Sequence, residues 1–401
     1  MDRTNPEDAR GPCSGFRVLD FSTVVSGPLC TQILGDLGAE VIKVEAPRGD
    51  ISRFMGPPFR EGGLSGFFVQ VNRNKRSVVL DLQREEAAGI AERLARSCDV
   101  VVQNFRPGVA DRLGIGDAAL RANNPGLVYV SISGFGADGP YAGLPAYDLV
   151  IQGLVGGMPI QGGEGPPVMM KSLVADKCTA MTAASAAVSA LLARERNGGR
   201  GQHVEVPMLD AFAAYLLPDL ILQESFQPKD PVSGPRLDIH RTWETADGHV
   251  VGIVIEDAQF QGVCRALDRL DLIDDERYAT FPGRIQNAEA LFALFEAELR
   301  KWPTQEFVRR AREFGAPFAP VNDLEGFMDD PQVRHNATWS DVEASDCGAI
   351  RYLRHPARYA ESPASLRRHP PRLGEHTDEV LGEAGFEASE IDRHRKDGLI
   401  G

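Results

Sequence analysis

The first half of the chain alternates short apolar, strand-like runs with longer helix-like segments. Repetition of strand, helix and strand is typical of a parallel sheet with helices on its faces. The sequence therefore predicts an α/β fold with a Rossmann-like large domain. The predicted strands are Arg17–Phe21, Glu40–Val44, Ser77–Leu82, Val100–Val102 and Leu127–Ser133, with helices from Gly27 to about Gly38 and from about Arg84 to Ser97.

The centre of the chain is dominated by one long predicted helix, from Lys171 to Arg196. Gly198 and Gly199 follow it, and glycine suits the left-handed cap that ends many helices. A strand at His203–Val206 comes next. Residues 1–225 are assigned on this basis to the N-terminal part of the large domain.

A second, smaller α/β domain is predicted over residues 238–315. It contains a strand at His249–Ile255, followed by helices near 256–270, 287–302 and 304–314. The polar, proline-rich stretch 226–237 is predicted to be a linker. Residues 316–401 are predicted to form a return linker and the C-terminal part of the large domain.

The charge of the chain limits its partners. Acidic residues outnumber basic ones by 57 to 43, which gives a net charge of −14. Binding of nucleic acid needs a basic surface, so no nucleic-acid partner is expected. A local group of basic residues can still hold a polyanionic ligand.

Cysteine usage and hydropathy indicate a cytoplasmic protein without a membrane partner. The six cysteines are scattered without paired spacing, which favours a reducing compartment over a disulfide framework or zinc site. The N-terminus is polar and does not resemble a signal peptide. The most apolar run, 179–193, is shorter than the ~20 residues that span a bilayer.

The chain has one glycine-rich segment that bears on nucleotide binding. Gly134–Gly139 has the spacing GxGxxG after a predicted strand, but Pro140 and Pro145 follow where a dinucleotide fingerprint needs a helix. We therefore predict a turning loop in preference to a site for NAD. The sequence contains no GxxxxGK[ST] motif, which disfavours an ATP-driven ligase of the P-loop type.

His376 and Cys178 are reactive residue types in ordinary surroundings. His376 lacks a second histidine at helical spacing, and Thr377 followed by acids suits the start of a helix, so no metal site is expected. Cys178 has no histidine partner nearby in sequence and is interpreted as a small buried helix residue.

Basic residues gather near the predicted strand ends of the first half. Ligands of open α/β sheets bind at the carboxyl ends of strands, so these side chains are candidate phosphate contacts. Each of them, taken alone, also fits a solvated surface charge. They are Arg48, Arg53, Arg73, Lys75, Arg76, Arg106 and Arg112.

Asp176 lies early in the long predicted helix. A helix N-terminus favours an ionised carboxylate by ~0.3–1 kcal/mol, and the ionised form is the one that acts as a nucleophile. The position alone also fits an ordinary acidic residue in the first turn of a helix.

Many short motifs occur in order along nearly the whole chain. The sequence resembles the class III coenzyme A transferases, which include formyl-CoA, carnitine and dicarboxylate CoA-transferases and are related to the 2-methylacyl-CoA racemases. The segments that carry the resemblance are 18–22, 26–28, 34–45, 72–77, 104–108, 112–114, 198–202, 317–322 and 373–377.

The resemblance implies an interlocked homodimer in which the small domain is inserted into the large one. It implies no tightly bound cofactor, since a coenzyme A thioester is the substrate, and Asp176 matches the catalytic aspartate. Coenzyme A passes from an acyl-CoA donor, with succinyl-CoA as our first choice, to a carboxylic acid through aspartyl anhydride and aspartyl-CoA thioester intermediates. The expected coenzyme contacts are Val24, Ser26, Arg48, Asn104, Phe105 and Arg112, with Arg73 and Lys75 added from the basic group.

One position separates transferases from racemases. The racemases pair the aspartate with a histidine, and Tyr147 occupies that position here. A phenol ionises near pH ~10 and is a poor base at neutral pH, so transfer is favoured and Tyr147 is a possible supporting residue. A racemase and a non-catalytic acyl-CoA binder stay as alternatives. Backbone amides around Gly156–Gly157 and Gly162–Gly163 are candidate oxyanion donors.

Overall fold

A computed structural model describes residues 11–226, 228, 239–344 and 348–401. Within them the chain forms two compact units, one made of residues up to Leu222 together with Thr338–Gly401, the other of Gln223–Ala337. The linker predicted at 226–237 lies almost wholly outside the described residues.

The first unit is built on a parallel sheet of six strands in the order β5-β2-β1-β6-β7-β8. The register places Arg17 opposite Glu40 and Val18 opposite Val100. A separate hairpin is formed by β3 and β4. The strands are β1 (Arg17–Asp20), β2 (Glu40–Glu45), β3 (Phe59–Arg60), β4 (Leu64–Ser65), β5 (Lys75–Val79), β6 (Val100–Gln103), β7 (Val128–Ser133) and β8 (His203–Pro207).

Helices cover both faces of this sheet, as the near-continuous apolar character of the strands requires. Side chains of α1, α8 and α9 pack against one face and those of α3 and α5 against the other. The helices are α1 (Ser26–Asp36), α2 (Gly66–Val71), α3 (Ala87–Ala95), α4 (Val109–Arg112), α5 (Asp117–Ala122), α6 (Asp148–Leu154), α7 (Gly157–Gly162), α8 (Val174–Arg196) and α9 (Met208–Leu216).

The second unit has its own core of aromatic and aliphatic side chains around a three-stranded sheet in the order β11-β10-β9. The strands are β9 (Trp243–Glu244), β10 (His249–Gly252) and β11 (Phe318–Pro320). The helices are α10 (Asp257–Ala266), α11 (Phe281–Gln286), α12 (Ala288–Leu299), α13 (Thr304–Glu313), α14 (Leu324–Asp329) and α15 (Pro331–Asn336).

The last segment returns to the first unit. Its strands β12 (Trp339–Ala344) and β13 (Gly348–Leu353) pair antiparallel, and helices α16 (Thr377–Glu383) and α17 (Ala388–Lys396) complete the second face of the large sheet.

The structure differs from the sequence prediction at several boundaries, of which three concern the large sheet, the long helix and the division into units. The strand predicted at Ser77–Leu82 begins earlier, at Lys75, and ends at Val79. The long helix begins at Val174 instead of Lys171. Residues 316–337 belong to the second unit, because β11 pairs with β10 and closes its sheet.

Candidate active site

The order of the six strands reverses at β1 and β6, and this reversal leaves a crevice at the carboxyl ends of these two strands. The chain runs outward from β1 through β2 to β5, then resumes at β6 on the other side of β1. Doubly wound sheets bind ligands outside the carboxyl ends of the two strands where the order reverses in this way. The loops that follow β1 and β6 are therefore the expected ligand contacts.

A cavity of about 210 Å³, open to solvent, lies at this place. Residues 23–26 follow β1, residues 104–107 follow β6, and residues 132–134 come from the end of β7. Most of 142–147 closes one side, and Asp176 and Met208 complete the described lining.

Seven of the residues predicted from the sequence meet at this cavity. Asp176 and Tyr147 share it with four of the expected coenzyme contacts, and Arg106 adds a positive charge at the wall. The four contacts are Val24, Ser26, Asn104 and Phe105.

Asp176 is in the first turn of α8, where its backbone amide has no intrahelical acceptor. Leu173 precedes the helix and has no polar side chain to cap it. The cap comes instead from Asp148, whose Oδ2 accepts a hydrogen bond of 3.0 Å from the Asp176 amide. Asp148 is 2% exposed and is itself held by Gln152, whose Nε2 donates to Oδ1 at 2.6 Å.

Gln152 also fixes the segment that leads into α8. Its Nε2 donates to the carbonyl oxygen of Ser172 at 3.0 Å, and its Oε1 accepts from the amide of Met170 at 3.2 Å. Helix α6 thus determines where α8 begins and where the Asp176 carboxylate lies.

The surroundings raise the pKa of Asp176 from its ordinary value of 3.8 to about 6. Burial of the carboxylate is the larger cause, and the negative charge of Asp148 adds to it. Hydrogen bonds from the hydroxyl and backbone amide of Ser26 act in the opposite direction. Asp176 is therefore mostly ionised at neutral pH, yet more basic than an ordinary aspartate.

Ser26 owes its position to the start of α1. As the first residue of that helix it has a backbone N–H without an intrahelical acceptor, and its side chain is only 2% exposed. The preceding turn is fixed by Asn104, which accepts from the Thr23 amide at 2.9 Å and donates to the Thr23 carbonyl oxygen at 2.8 Å.

Two further expected contacts lie outside the described lining of the cavity. Arg112 is the last residue of α4 and is exposed. Its guanidinium lies near Gly108, which directly follows the lining residue Pro107 in the chain. Arg48 is exposed in the turn after β2.

Arg73 and Lys75 have different surroundings from those expected. Lys75 is completely buried, and its Nζ pairs with Asp20 at 3.0 Å and donates to Asn72 and to the Pro28 carbonyl oxygen. The guanidinium of Arg73, 7% exposed, forms a two-pronged pair with Asp36 at 2.5 and 3.0 Å. Internal carboxylates occupy both cations, so we leave them out of the coenzyme site proposed below.

The basic residues Arg53 and Arg76 are also engaged internally. Arg53 pairs with Glu45 at 2.7 Å, and Arg76 pairs with Glu379 and Glu383. Both side chains are almost completely buried. They stabilise the sheet and its contact with α16.

The loop after β7 and the helix start at His376 agree with the sequence analysis. Residues 134–147 form turns and irregular backbone, and the next helix begins only at Asp148. His376 precedes α16, and its Nδ1 accepts from the Ser77 amide at 3.3 Å. No group of three or more metal-ligating side chains occurs in the described ranges.

Cys178 is a buried residue of α8 and not a thiolate. Burial raises the pKa of its thiol to about 11, and its Sγ donates to the Ala175 carbonyl oxygen. All five described cysteines are free thiols. Within the part of the chain that is described, no helix has both the length and the apolar character for crossing a membrane.

The contact of Asp148 with Asp176 was not predicted from the sequence. Asp148 was read only as the neighbour of Tyr147, because its contact with Asp176 joins residues 28 positions apart. The described lining of the cavity does not include Gly156, Gly157, Gly162 or Gly163, which lie at the two ends of α7.

Comparisons with known proteins show the family of the chain. The sequence pattern named CoA-transferase family III matches residues 13–377. A succinate–glutarate CoA-transferase from Agrobacterium fabrum is 35% identical over 391 residues, covering 95% of this chain and 97% of that protein. A succinyl-CoA:glutarate CoA-transferase from Homo sapiens is 32% identical over 377 residues, covering 93% and 86%.

Solved structures show the same relationship. The crystal structure of a CAIB/BAIF family protein from Brucella suis has a TM-score of 0.81 and 32% identity, covering 94% of this chain and all of that one. Rv3272 from Mycobacterium tuberculosis has a TM-score of 0.80 and 34% identity, covering 92% and 98%. Agreement of sequence pattern, relatives and fold over nearly the whole length shows that this chain is an enzyme of CoA-transferase family III.

Proposed function

We propose that the enzyme transfers coenzyme A from an acyl-CoA to a free carboxylic acid with Asp176 as the covalent nucleophile. The observation that carries the proposal is a partly buried carboxylate, positioned by the 3.0 Å hydrogen bond from its own amide to Asp148, that lines the cavity at the strand-order reversal together with Ser26. The raised pKa of this carboxylate agrees with that position. Such a carboxylate is ionised at neutral pH and more basic than an exposed one.

The first half of the reaction loads the enzyme. An Asp176 oxygen attacks the thioester carbon, the C–S bond breaks, and the coenzyme leaves as a thiolate while a mixed anhydride forms. The thiolate then attacks the Asp176 side-chain carbonyl carbon and expels the donor acid as a carboxylate. Asp176 now holds coenzyme A as a thioester.

The second half runs the same steps with the acceptor acid. Its carboxylate attacks the Asp176 carbonyl carbon and displaces the thiolate, which then attacks the acceptor's acyl carbon and releases Asp176 as a carboxylate. Every step exchanges one activated acyl bond for another, and neither water nor ATP is consumed.

Each attack on the Asp176 carbonyl carbon places negative charge on a side-chain oxygen. Ser26 offers its amide and hydroxyl to that carboxyl group, at the N-terminus of α1, where the helix dipole also favours negative charge. Preorganised donors of this kind contribute about 3 kcal/mol to the stabilisation of an oxyanion. We therefore assign Ser26 as the oxyanion donor and Asp148 as the residue that positions Asp176.

The coenzyme is expected to lie along the loops after β1 and β6. Val24, Asn104 and Phe105 line the cavity, and the exposed cations Arg48, Arg106 and Arg112 provide candidate partners for its phosphates. Arg106 is the member of the predicted basic group that lines the cavity.

We propose succinyl-CoA as donor and a short dicarboxylic acid as acceptor. The support is the naming of two relatives that are more than 30% identical over nearly the whole chain, both of which act on succinate or succinyl-CoA with glutarate. We retain a cytoplasmic location in the proposal, with which the five free thiols agree.

A homodimer is part of the proposal. Large apolar side chains are exposed on α6 and α8, two helices that contact each other, and include Leu149 at 52% and Met181 at 63%. Adjoining exposed apolar side chains mark contact surfaces, and a second copy would cover them. Light scattering after gel filtration tests this, and a mass of one chain contradicts it.

The covalent route is tested by intact-protein mass spectrometry after incubation with a panel of acyl-CoAs. Wild type should gain the mass of coenzyme A less one water, and one particular carboxylic acid should remove it. Asp176→Asn, which keeps the shape of the side chain, should gain nothing, whereas the exposed-loop control Asp138→Asn should behave as wild type.

Two results would contradict the proposal. An adduct on Asp176→Asn would place the nucleophile elsewhere. Exchange of the α-hydrogen of a 2-methylacyl-CoA for deuterium, without any adduct, would favour the racemase.

A further inference from the structure

Val24 has an unusual backbone conformation at the wall of the cavity. Its φ is +72°, in the left-handed region, which a β-branched residue rarely adopts. Such strain persists only where the surroundings fix it, and it is common at functional sites. Val24 lies between the end of β1 and Ser26, the first residue of α1, so its conformation determines where Ser26 points.

Lys43 fixes one side of this turn from within the sheet. It lies in the middle of β2 and is completely buried. Its Nζ donates to the Ser22 carbonyl oxygen at 2.8 Å and to Asp50 Oδ2 at 2.9 Å. A buried ammonium group is costly unless it is paired, and here part of its pairing is with the backbone of the turn.

Asp50 fixes the other side. Its two carboxylate oxygens are 3.2 and 3.3 Å from the Val24 amide nitrogen, which donates to them. Oδ1 also accepts from the Ser52 amide at 2.9 Å. Burial acts to raise the pKa of Asp50, but Lys43 and the Ser52 amide outweigh it and lower the pKa to about 2.

Other charges near the pair are balanced. Asp20 and Glu45 also face Lys43, and each has a cationic partner of its own, Lys75 for Asp20 and Arg53 for Glu45. Removal of Lys43 and Asp50 together therefore leaves the remaining network without a surplus charge.

We propose that Lys43 and Asp50 are positioning residues that hold Val24 in its left-handed conformation and thereby keep Ser26 directed at Asp176. The inference rests on the proposed function, in which Ser26 stabilises charge on the Asp176 carboxyl group. Neither side chain lines the cavity in its described part, so their effect on the chemistry is transmitted through the turn.

The test compares Lys43→Met/Asp50→Asn with wild type. Arg76→Met is the control for loss of a buried ion pair, since Arg76 pairs with Glu40, Glu379 and Glu383 away from the cavity. The double variant Lys43→Met/Asp50→Asn should lose about 100-fold in kcat, because a displacement of about 1 Å near the reacting group can lower the rate by this factor. Its KM for acyl-CoA should change little. Asp50→Asn alone should show a smaller loss and serves if the double variant does not fold.

Two readouts separate positioning from general destabilisation. Hydrogen bonds from Ser26 lower the pKa of Asp176, so their loss should move the acid limb of the kcat/KM profile to higher pH. Glycine adopts positive φ without strain, so a turn with glycine at position 24 depends less on Lys43 and Asp50. The loss in kcat caused by Lys43→Met/Asp50→Asn should therefore be several-fold smaller when it is measured against Val24→Gly, with both enzymes carrying that substitution.

A fall in kcat no larger than that of Arg76→Met, an unmoved acid limb, or an equal loss in the Val24→Gly background would each overturn the positioning role. These outcomes leave the coenzyme adduct of wild type intact. Failure of the proposed function would instead be seen as an Asp176→Asn enzyme that still forms the adduct.

Discussion

Replacement of Asp176 by asparagine should abolish transfer and stabilise the fold. The folded protein raises the pKa of Asp176 from 3.8 to about 6, so the folded state holds the ionised carboxylate at a cost. A rise of this size corresponds to about 3 kcal/mol, an upper bound because water partly screens the group. Asparagine keeps the size and has no charge to bury.

The sign of the effect follows from proton linkage. A carboxyl whose pKa is raised on folding gives its full stabilisation below its unfolded pKa and loses it as the pH rises through the folded value. Wild type and Asp176→Asn should therefore be equally stable near pH 3.8. The advantage of the variant should grow through pH 6 and level off above about pH 7.

Thermal unfolding from pH 4 to 8 at one fixed protein concentration measures this, since assembly makes the midpoint depend on concentration. The exposed-loop variant Asp138→Asn serves as the control and should show no growing advantage. An Asp176→Asn protein that is less stable than wild type at pH 7.5, or whose advantage does not change with pH, would refute the assignment of a strained carboxylate.

Three further predictions concern single side chains. Asp148→Asn removes a negative charge that raises the pKa of Asp176, so the acid limb of kcat/KM should move down by up to about 1 pH unit; an upward shift would contradict this. Arg112→Gln should raise the KM for acyl-CoA about tenfold through loss of a phosphate contact, without preventing the adduct, and an unchanged KM would remove Arg112 from the site. Lys75→Met leaves Asp20 without its buried partner, so urea unfolding should show a loss of about 3 kcal/mol in the free energy of unfolding, whereas a loss confined to KM would return Lys75 to the coenzyme site.

Local pattern was enough to place most elements of the large sheet. The strands predicted for β1, β2, β6 and β7 agree with the structure to within about one residue. Each of them is a short apolar run bounded by polar or glycine residues. The strand at β5 was misplaced, since its first residues, Lys75 and Arg76, are charged and yet buried by partners elsewhere in the chain.

The same long-range pairing explains why the surroundings of Lys75 and Arg73 differ from those expected. Lys75 meets Asp20 across 55 positions and Arg73 meets Asp36 across 37, so neither pair is visible as a local motif. Each cation was therefore read as available to phosphate. The second unit was predicted too short for a related reason, because β11 joins its sheet only by pairing with the distant β10.

The sequence by itself determined the alternation of strands and helices, the position of Asp176 early in a long helix, and the resemblance to class III coenzyme A transferases. These depend on residues that are close along the chain, through apolar periodicity, helix termini and ordered motifs. Only the tertiary structure decided which strands are neighbours, and so where the cavity opens. It also brought Asp148 against the Asp176 amide and Ser26 into the same cavity, contacts between residues far apart along the chain that no local spacing predicts. Burial and charge across the fold then raise the pKa of the Asp176 carboxylate.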